Sequence, residues 1–232
     1  MEDKIQSGRV IKTFYSKRNT VQLLQCRNTP GAEYIILKKH RTIQGAVAEY
    51  NTLMRLSRAG LAVPAPLGRE GKNLYLQYLE GELLVDILEH NLVPRPAWTR
   101  ALARWYYMLH GKTASGDGTV MLKADNNLRN FLFTGGVVYG LDFEETGCGD
   151  PAKDLGQLCA YILANRPAFT AERLAEASAV IHQYRLFNLE VPLKRIENEL
   201  ILELRKMAQR RIEVSEAIKR FIESRQNNHI FL

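Results

Sequence analysis

The stretch KADNNLRNFLF, Lys123–Phe133, sets Asp125, Arg129 and Asn130 close together, immediately before a short apolar run. Asn and Asp favour turns through their own side-chain hydrogen bonds, so a plain loop would use the same residues. The next ten residues point to chemistry instead. Phe131–Leu141 reads as a hairpin with a Thr-Gly-Gly tip, and a tight turn near Gly135 would bring Asp142 back alongside Arg129 and Asn130. Asp125, Asn130 and Asp142 at one point would form an oxygen-donor set with an arginine beside it. Such a set suits Mg2+, a hard cation usually held by one or two carboxylates plus phosphate oxygens.

A second pair lies upstream. Ile43–Arg58 has helical periodicity, with Ala46, Leu53 and Leu56 on its apolar stripe and Glu49 on the same stripe. A carboxylate facing a core needs a cationic partner. The preceding strand, Glu33–Lys39, offers Lys38 on the side of Ile36 and Tyr34, with Lys39 on the other. A Lys38–Glu49 pair would hold an ammonium ready for phosphate oxygens.

The elements that would position these groups change character along the chain. Arg9–Phe14, Thr20–Arg27 and Glu33–Lys39 read as strands, the last two joined through Asn28-Thr29-Pro30-Gly31. The helix Ile43–Arg58 is stopped by Gly60 and the prolines of Val63–Gly68, and Leu74–Leu79 reads as a further strand. Beyond Glu80-Gly81 the pattern is mainly helical, at Trp98–Leu109, Asp154–Leu163, Thr170–Tyr184 and Lys194–Ser224. The expected architecture is α+β and bilobal: a small β-rich N-lobe with one helix over 1–79, and a mainly helical C-lobe over 80–232.

Composition narrows the functional classes. Three widely spaced cysteines and five scattered histidines offer neither a disulfide framework nor a metal clip. Apolar runs are too short to cross a bilayer and no charged-then-apolar leader opens the chain, so a cytoplasmic protein without membrane insertion is expected. The formal charge of +7 is concentrated in residues 1–116, which hold 17 Lys/Arg against 9 Asp/Glu. That bias suits a polyanion such as a nucleotide phosphate, and would also suit nucleic acid.

Taken in order, these segments resemble the protein-kinase-like fold, and within it the aminoglycoside phosphotransferase and choline kinase-like superfamily, from about Phe14 to Leu163. YIILKKH is similar to the lysine strand, and AVAEYNTLMRLSRAGLAVPAPLG to the glutamate helix with its proline-rich exit. LYLQYLEGE resembles the interlobe hinge, KADNNLRNFLF the catalytic loop, and VVYGLDFEETGCGDPAKDLGQL the magnesium-aspartate strand with its G-D-P-x-x-D segment. The resemblance implies that Lys38 contacts the α/β-phosphates of ATP and that Glu49 orients it. It further implies that Asp125 accepts the proton of the acceptor hydroxyl, that Asn130 and Asp142 hold Mg2+, and that Asp154 braces the catalytic loop. Backbone groups of Gln77, Tyr78 and Leu79 would receive the adenine.

Three departures qualify the match. The loop Phe14–Leu24 has no glycine, so Ser16 and Lys17, with Arg18 and Asn19, would supply phosphate contacts by side chain or form a solvated turn. Lys123-Ala124 stands where His-Gly is usual, while Arg129 stands where it could neutralise the γ-phosphate or the base. Only eleven residues separate Asp142 from Asp154, too few for a peptide-docking activation loop.

The leading expectation is an ATP- and Mg2+-dependent phosphotransferase acting on a hydroxyl of a non-protein acceptor. The charge favours an anionic acceptor, such as a phosphosugar or RNA, over a cationic antibiotic. The alternative is a nucleotide-binding pseudokinase acting as an interaction module. A third reading, nucleic-acid binding through Arg205, Lys206, Arg210, Arg211, Lys219, Arg220 and Arg225, is less favoured. Glu199, Glu203, Glu213, Glu216 and Glu223 share that helix at spacings suited to exposed ion pairs, and no aromatic set interleaves to stack bases.

Overall fold

The computed structural model describes residues 8–26, 33–187, 191–225 and 230–231. The chain divides into two compact units, Met1–Glu80 with Gly140–Glu145, and Gly81–Tyr139 with Thr146–Leu232. The linear division at residue 79 thus misses one feature: Gly140–Glu145, which includes Asp142, groups with the first unit.

The first unit is an antiparallel sheet in the order β1-β2-β3-β5-β4, with β1 at Arg9–Phe14, β2 at Thr20–Gln25, β3 at Tyr34–Lys39, β4 at Pro66–Glu70 and β5 at Asn73–Gln77. Strand β3 is central, pairing Lys38 with Val21 on one side and Leu74 on the other. Ile35 and Leu37 point to one face, where Leu24, Cys26 and Tyr75 complete a core cluster, and alternation sends Lys38 to the opposite face. Helix α1, Ile43–Arg58, begins where the Thr42 side chain accepts from the Gly45 amide, and it buries Ala46, Glu49, Leu53 and Leu56. The expected strand Leu74–Leu79 ends at Gln77, and β4 was hidden among prolines. An edge strand tolerates Pro66 because one row of its backbone groups needs no partner. The expected turn at residues 28–31 and the end of the second strand at Arg27 lie outside the described residues.

The second unit is mainly helical, with α2 at Leu84–His90, α3 at Arg95–Thr113, α4 at Ala152–Leu163, α5 at Ala171–Leu186, α6 at Leu193–Arg210 and α7 at Ile212–Ser224. Short strands accompany them: β6 at Glu82–Leu83 beside β8 at Phe131–Thr134 and β9 at Val137–Gly140, and β7 at Val120–Leu122 beside β10 at Gly147–Gly149. The hairpin tip carries Gly135 and Gly136 at φ +55° and +79°, the left-handed pair that a two-residue turn between twisted strands requires. Trp105 packs edge-on against Tyr106 and Phe131, joining α3 to the start of the hairpin.

The single helix expected over Lys194–Ser224 is broken at Arg211, whose backbone is extended at φ −129° and ψ 88°. A straight helix there would be about 46 Å long. The break lets α7 fold against α6 and bury Ile218 and Phe221, the latter ring 5.2 Å from that of Phe169. Glu203, expected on an exposed face, is only 4% exposed.

Helices α4 and α6 meet at Gly156. A Cβ there would sit 2.6 Å from the Leu200 backbone nitrogen and 2.6 Å from Glu199 Cβ, contacts that a rotamer change cannot relieve. Gly156→Ala is therefore expected to lower stability by about 1–3 kcal/mol. Thermal unfolding should show Tm falling by about 5 °C; an unchanged Tm would mean that the two helices are not in backbone contact.

Candidate active site

The residues singled out by the sequence fall into two sets. Ser16, Lys17, Lys38, Glu49, Gln77, Tyr78, Leu79 and Asp142 belong to the first unit; Asp125, Arg129, Asn130 and Asp154 belong to the second.

In the first set, the Lys38 ammonium is buried and lies 2.7 Å from Glu49 Oε2 and 2.6 Å from Asp142 Oδ1. Glu49 Oε1 accepts a hydrogen bond from the Phe143 amide at 3.0 Å. His40, two residues beyond Lys38 on the same side of the chain and only 2% exposed, brings Nε2 to 3.0 Å from Glu49 Oε2. Burial opposes ionisation of Glu49 and is the largest single influence. Lys38, His40 and the Phe143 amide together outweigh it, pulling the carboxyl down to about 2. For Lys38, burial again works against the charge, yet Glu49 and Asp142 raise its pKa above the usual lysine value. The ammonium is thus fixed in place and kept protonated. Asp142 sits at φ +57°, a left-handed conformation that Asp tolerates better than most residues and that concentrates at functional positions.

The loop after β1 is tied down by side chains. Ser16 Oγ accepts from the Asn19 amide at 3.3 Å, Asn19 Nδ2 donates to Glu144 Oε2 at 2.8 Å, and Arg18 pairs with Glu145. Arg41 donates to the carbonyls of Arg18 and Lys17, leaving the Lys17 side chain exposed. Asn19 and Arg18, considered for phosphate contacts, already hold acidic partners. At the chain's exit from β5, the Gln77 amide donates to the Ala65 carbonyl at 2.9 Å, so that donor is committed.

In the second set, one buried carboxylate organises the loop. Asp154 Oδ2 accepts from the Lys123 amide at 2.8 Å, and Oδ1 accepts from the Ala124 amide at 3.3 Å and from Asn126 Nδ2 at 2.9 Å. His110 Nε2 lies 3.2 Å from the same carboxylate, while its Nδ1 contacts the Tyr184 hydroxyl at 2.9 Å. The Tyr106 hydroxyl donates to Asn126 Oδ1. Lys123-Ala124 therefore supports the loop through backbone amides. Ala124 pays for the missing glycine with φ +65°, a conformation costing about 1–2 kcal/mol outside glycine. The fully buried Lys123 amine donates to the Asp125 carbonyl at 3.2 Å.

Asp125 itself is half-buried, with Oδ1 accepting from the Asn127 amide at 3.1 Å. Asn130 Nδ2 donates to the Asp125 carbonyl at 3.4 Å, which commits the amide nitrogen to the loop. Arg129 is exposed, its backbone amide held by Asn127 Oδ1. Sequence reasoning missed His40, Tyr106, His110 and Asn126. The signals were present: His40 shares Lys38's side of the strand, and Tyr106 and His110 are one helical turn apart.

The chain has a kinase-like fold similar to that of aminoglycoside phosphotransferases and choline/ethanolamine kinases, and residues 120–188 match the family model described as "Phosphotransferase enzyme family". Among similar solved structures, aminoglycoside phosphotransferase APH(2'')-Ib, ADP-bound, is 13% identical, with a TM-score of 0.65 over 100% of this chain and 97% of that one. Amicoumacin kinase hAmiN, in complex with AMP-PNP, Ca2+ and Ami, is 15% identical, with a TM-score of 0.66 over 88% and 80%. An ethanolamine kinase of Plasmodium vivax is 10% identical, with a TM-score of 0.64 over 89% and 76%. No curated protein sequence matches the chain. Among the described residues no helix is long and apolar enough to cross a membrane.

Proposed function

We propose that this chain is an ATP- and Mg2+-dependent phosphotransferase acting on a hydroxyl of a non-protein acceptor. The observation that carries the reading is the buried Lys38 ammonium held between Glu49 and Asp142 at 2.7 and 2.6 Å. A buried lysine with two carboxylates is costly to build for stability alone, because desolvation offsets much of the Coulombic gain. A fixed ammonium is what a triphosphate needs, since phosphoryl transfer depends on alignment and charge neutralisation more than on covalent help.

In this reading Lys38 contacts the phosphates, Glu49 holds it with His40 beside that carboxylate, and the backbone of Tyr78 and Leu79 receives the base. Asp125 takes the proton of the acceptor hydroxyl as that oxygen bonds to the γ-phosphorus and the bond to the ADP oxygen breaks. Asn130 and Asp142 would hold Mg2+, which when bound neutralises the developing phosphate charge. Their donors are oxygens, the kind a hard cation takes.

Lys38→Met should weaken nucleotide affinity or turnover by at least about tenfold, the loss of one charge-assisted contact, whereas Lys39→Met should change little. Binding of a fluorescent ATP analogue to both variants checks this. Equal effects would mean that the buried ammonium has no special part in holding phosphate.

A further inference from the structure

Resting on the phosphotransferase reading, we infer that the acceptor carries an anionic group, phosphate or carboxylate, bound by Arg210 and Arg211 at the break between α6 and α7. The geometry starts at the catalytic loop and runs outward through the second unit. Asp154, Gln157 and Tyr161 lie three and four residues apart on α4, one face of a helix leading away from the loop. Asn126, the neighbour of Asp125, donates to Gln157 Oε1 at 2.6 Å, and Gln157 Nε2 reaches Glu203 Oε2 at 3.5 Å. Arg210 binds Glu203 Oε1 at 2.6 Å, and the Arg211 guanidinium lies 5.8 Å from the centre of the Tyr161 ring. Burial raises the Tyr161 pKa first, then the carboxylates of Asp125 and Glu203 raise it further while Arg210 and Arg211 lower it, so one hydroxyl feels the base and both arginines.

The charge balance of this cluster selects the ligand. Lys206, at 3.9 Å, and Arg210 both face the buried Glu203, and Arg211 has an aromatic face as its neighbour. Two cations thus face one carboxylate, and a third lies against the Tyr161 ring. A guanidinium has five N–H donors, and Glu203 uses few of those on Arg210. The extended backbone at Arg211 is what points its side chain back to α4 rather than along a continuous helix. An amine-bearing acceptor would meet net positive charge here, whereas a phosphate or carboxylate would gain charge-assisted hydrogen bonds.

The test is titration calorimetry of full-length protein saturated with Mg2+ and AMP-PNP, using a panel of hexose 6-phosphates and uronic acids, their uncharged parent sugars, and amino sugars. Members of the anionic set should bind in preference to their uncharged parents, and amino sugars should not bind. The double substitution Arg210→Gln/Arg211→Gln should weaken anionic binding about tenfold or more. Arg211→Lys should recover part of it, and Arg211→Glu should shift preference toward amino sugars; Tm measured on each variant identifies any that fail to fold. Preference for neutral or amino sugars, no binding of any anionic sugar, or undiminished binding in the double variant overturns the inference. ATP-dependent phosphorylation of a neutral or amino sugar would overturn it while leaving phosphotransfer intact. Transfer to no acceptor, with wild type and Asp125→Asn alike, would instead remove the phosphotransferase reading, and anion binding would still decide this one.

Discussion

Asp125→Asn is expected to keep nucleotide affinity and lose phosphoryl transfer by about 10²–10⁴-fold. The substitution is nearly isosteric, and an asparagine oxygen can still accept from the Asn127 amide, the bond Asp125 Oδ1 makes at 3.1 Å. The rest of the loop hangs on Asp154 through the amides of Lys123 and Ala124 and the side chain of Asn126, none of which the change touches. What disappears is the negative charge that, in the proposed mechanism, takes a hydroxyl proton. Nucleotide binding and transfer to an acceptor, measured on the same two samples, separate the outcomes. A nucleotide-binding module without catalysis predicts two indistinguishable proteins that bind and never transfer, and a mutant that transfers normally would make Asp125 a purely structural turn residue.

Glu49→Gln is expected to destabilise the first unit by about 3–5 kcal/mol, the usual result of removing one partner from a buried ion pair. Lys38 would keep Asp142, but His40 and the Phe143 amide would face a neutral amide in place of a carboxylate. The pH dependence carries a second signature. Glu49 is pulled from the ordinary 4.5 to about 2 in the folded chain, so its contribution is complete above 4.5 and is lost as pH falls toward 2. A shift of that size corresponds to about 3 kcal/mol. Urea unfolding between pH 6 and 2.5 should therefore show wild type losing stability more steeply than Glu49→Gln, the two converging at the acid end. Parallel curves would mean that the Glu49 charge does not bear on folding.

Local periodicity by itself determined a good deal of this protein. The helix Ile43–Arg58 was legible because Ala46, Leu53 and Leu56 recur at helical spacing before Gly60. The choice of Lys38 over Lys39 came from strand alternation, since a period of two cannot place both on one face. The Gly135-Gly136 turn was legible because few other residues accept two consecutive positive φ angles. Tertiary structure decided the rest, and in each case the partner is distant in sequence. The Asp154 side chain meets the Lys123 amide across 31 residues, and the Phe143 amide meets Glu49 across 94. No composition or spacing around Lys123-Ala124 reveals that backbone amides do the bracing. Glu203 and Arg211 show the same limit: the helical pattern continues through both, yet one is buried under Gln157 and Arg210 and the other breaks the helix. Sequence periodicity fixes which face of an element is apolar; only the packing of that face against another element decides what a buried charge will meet.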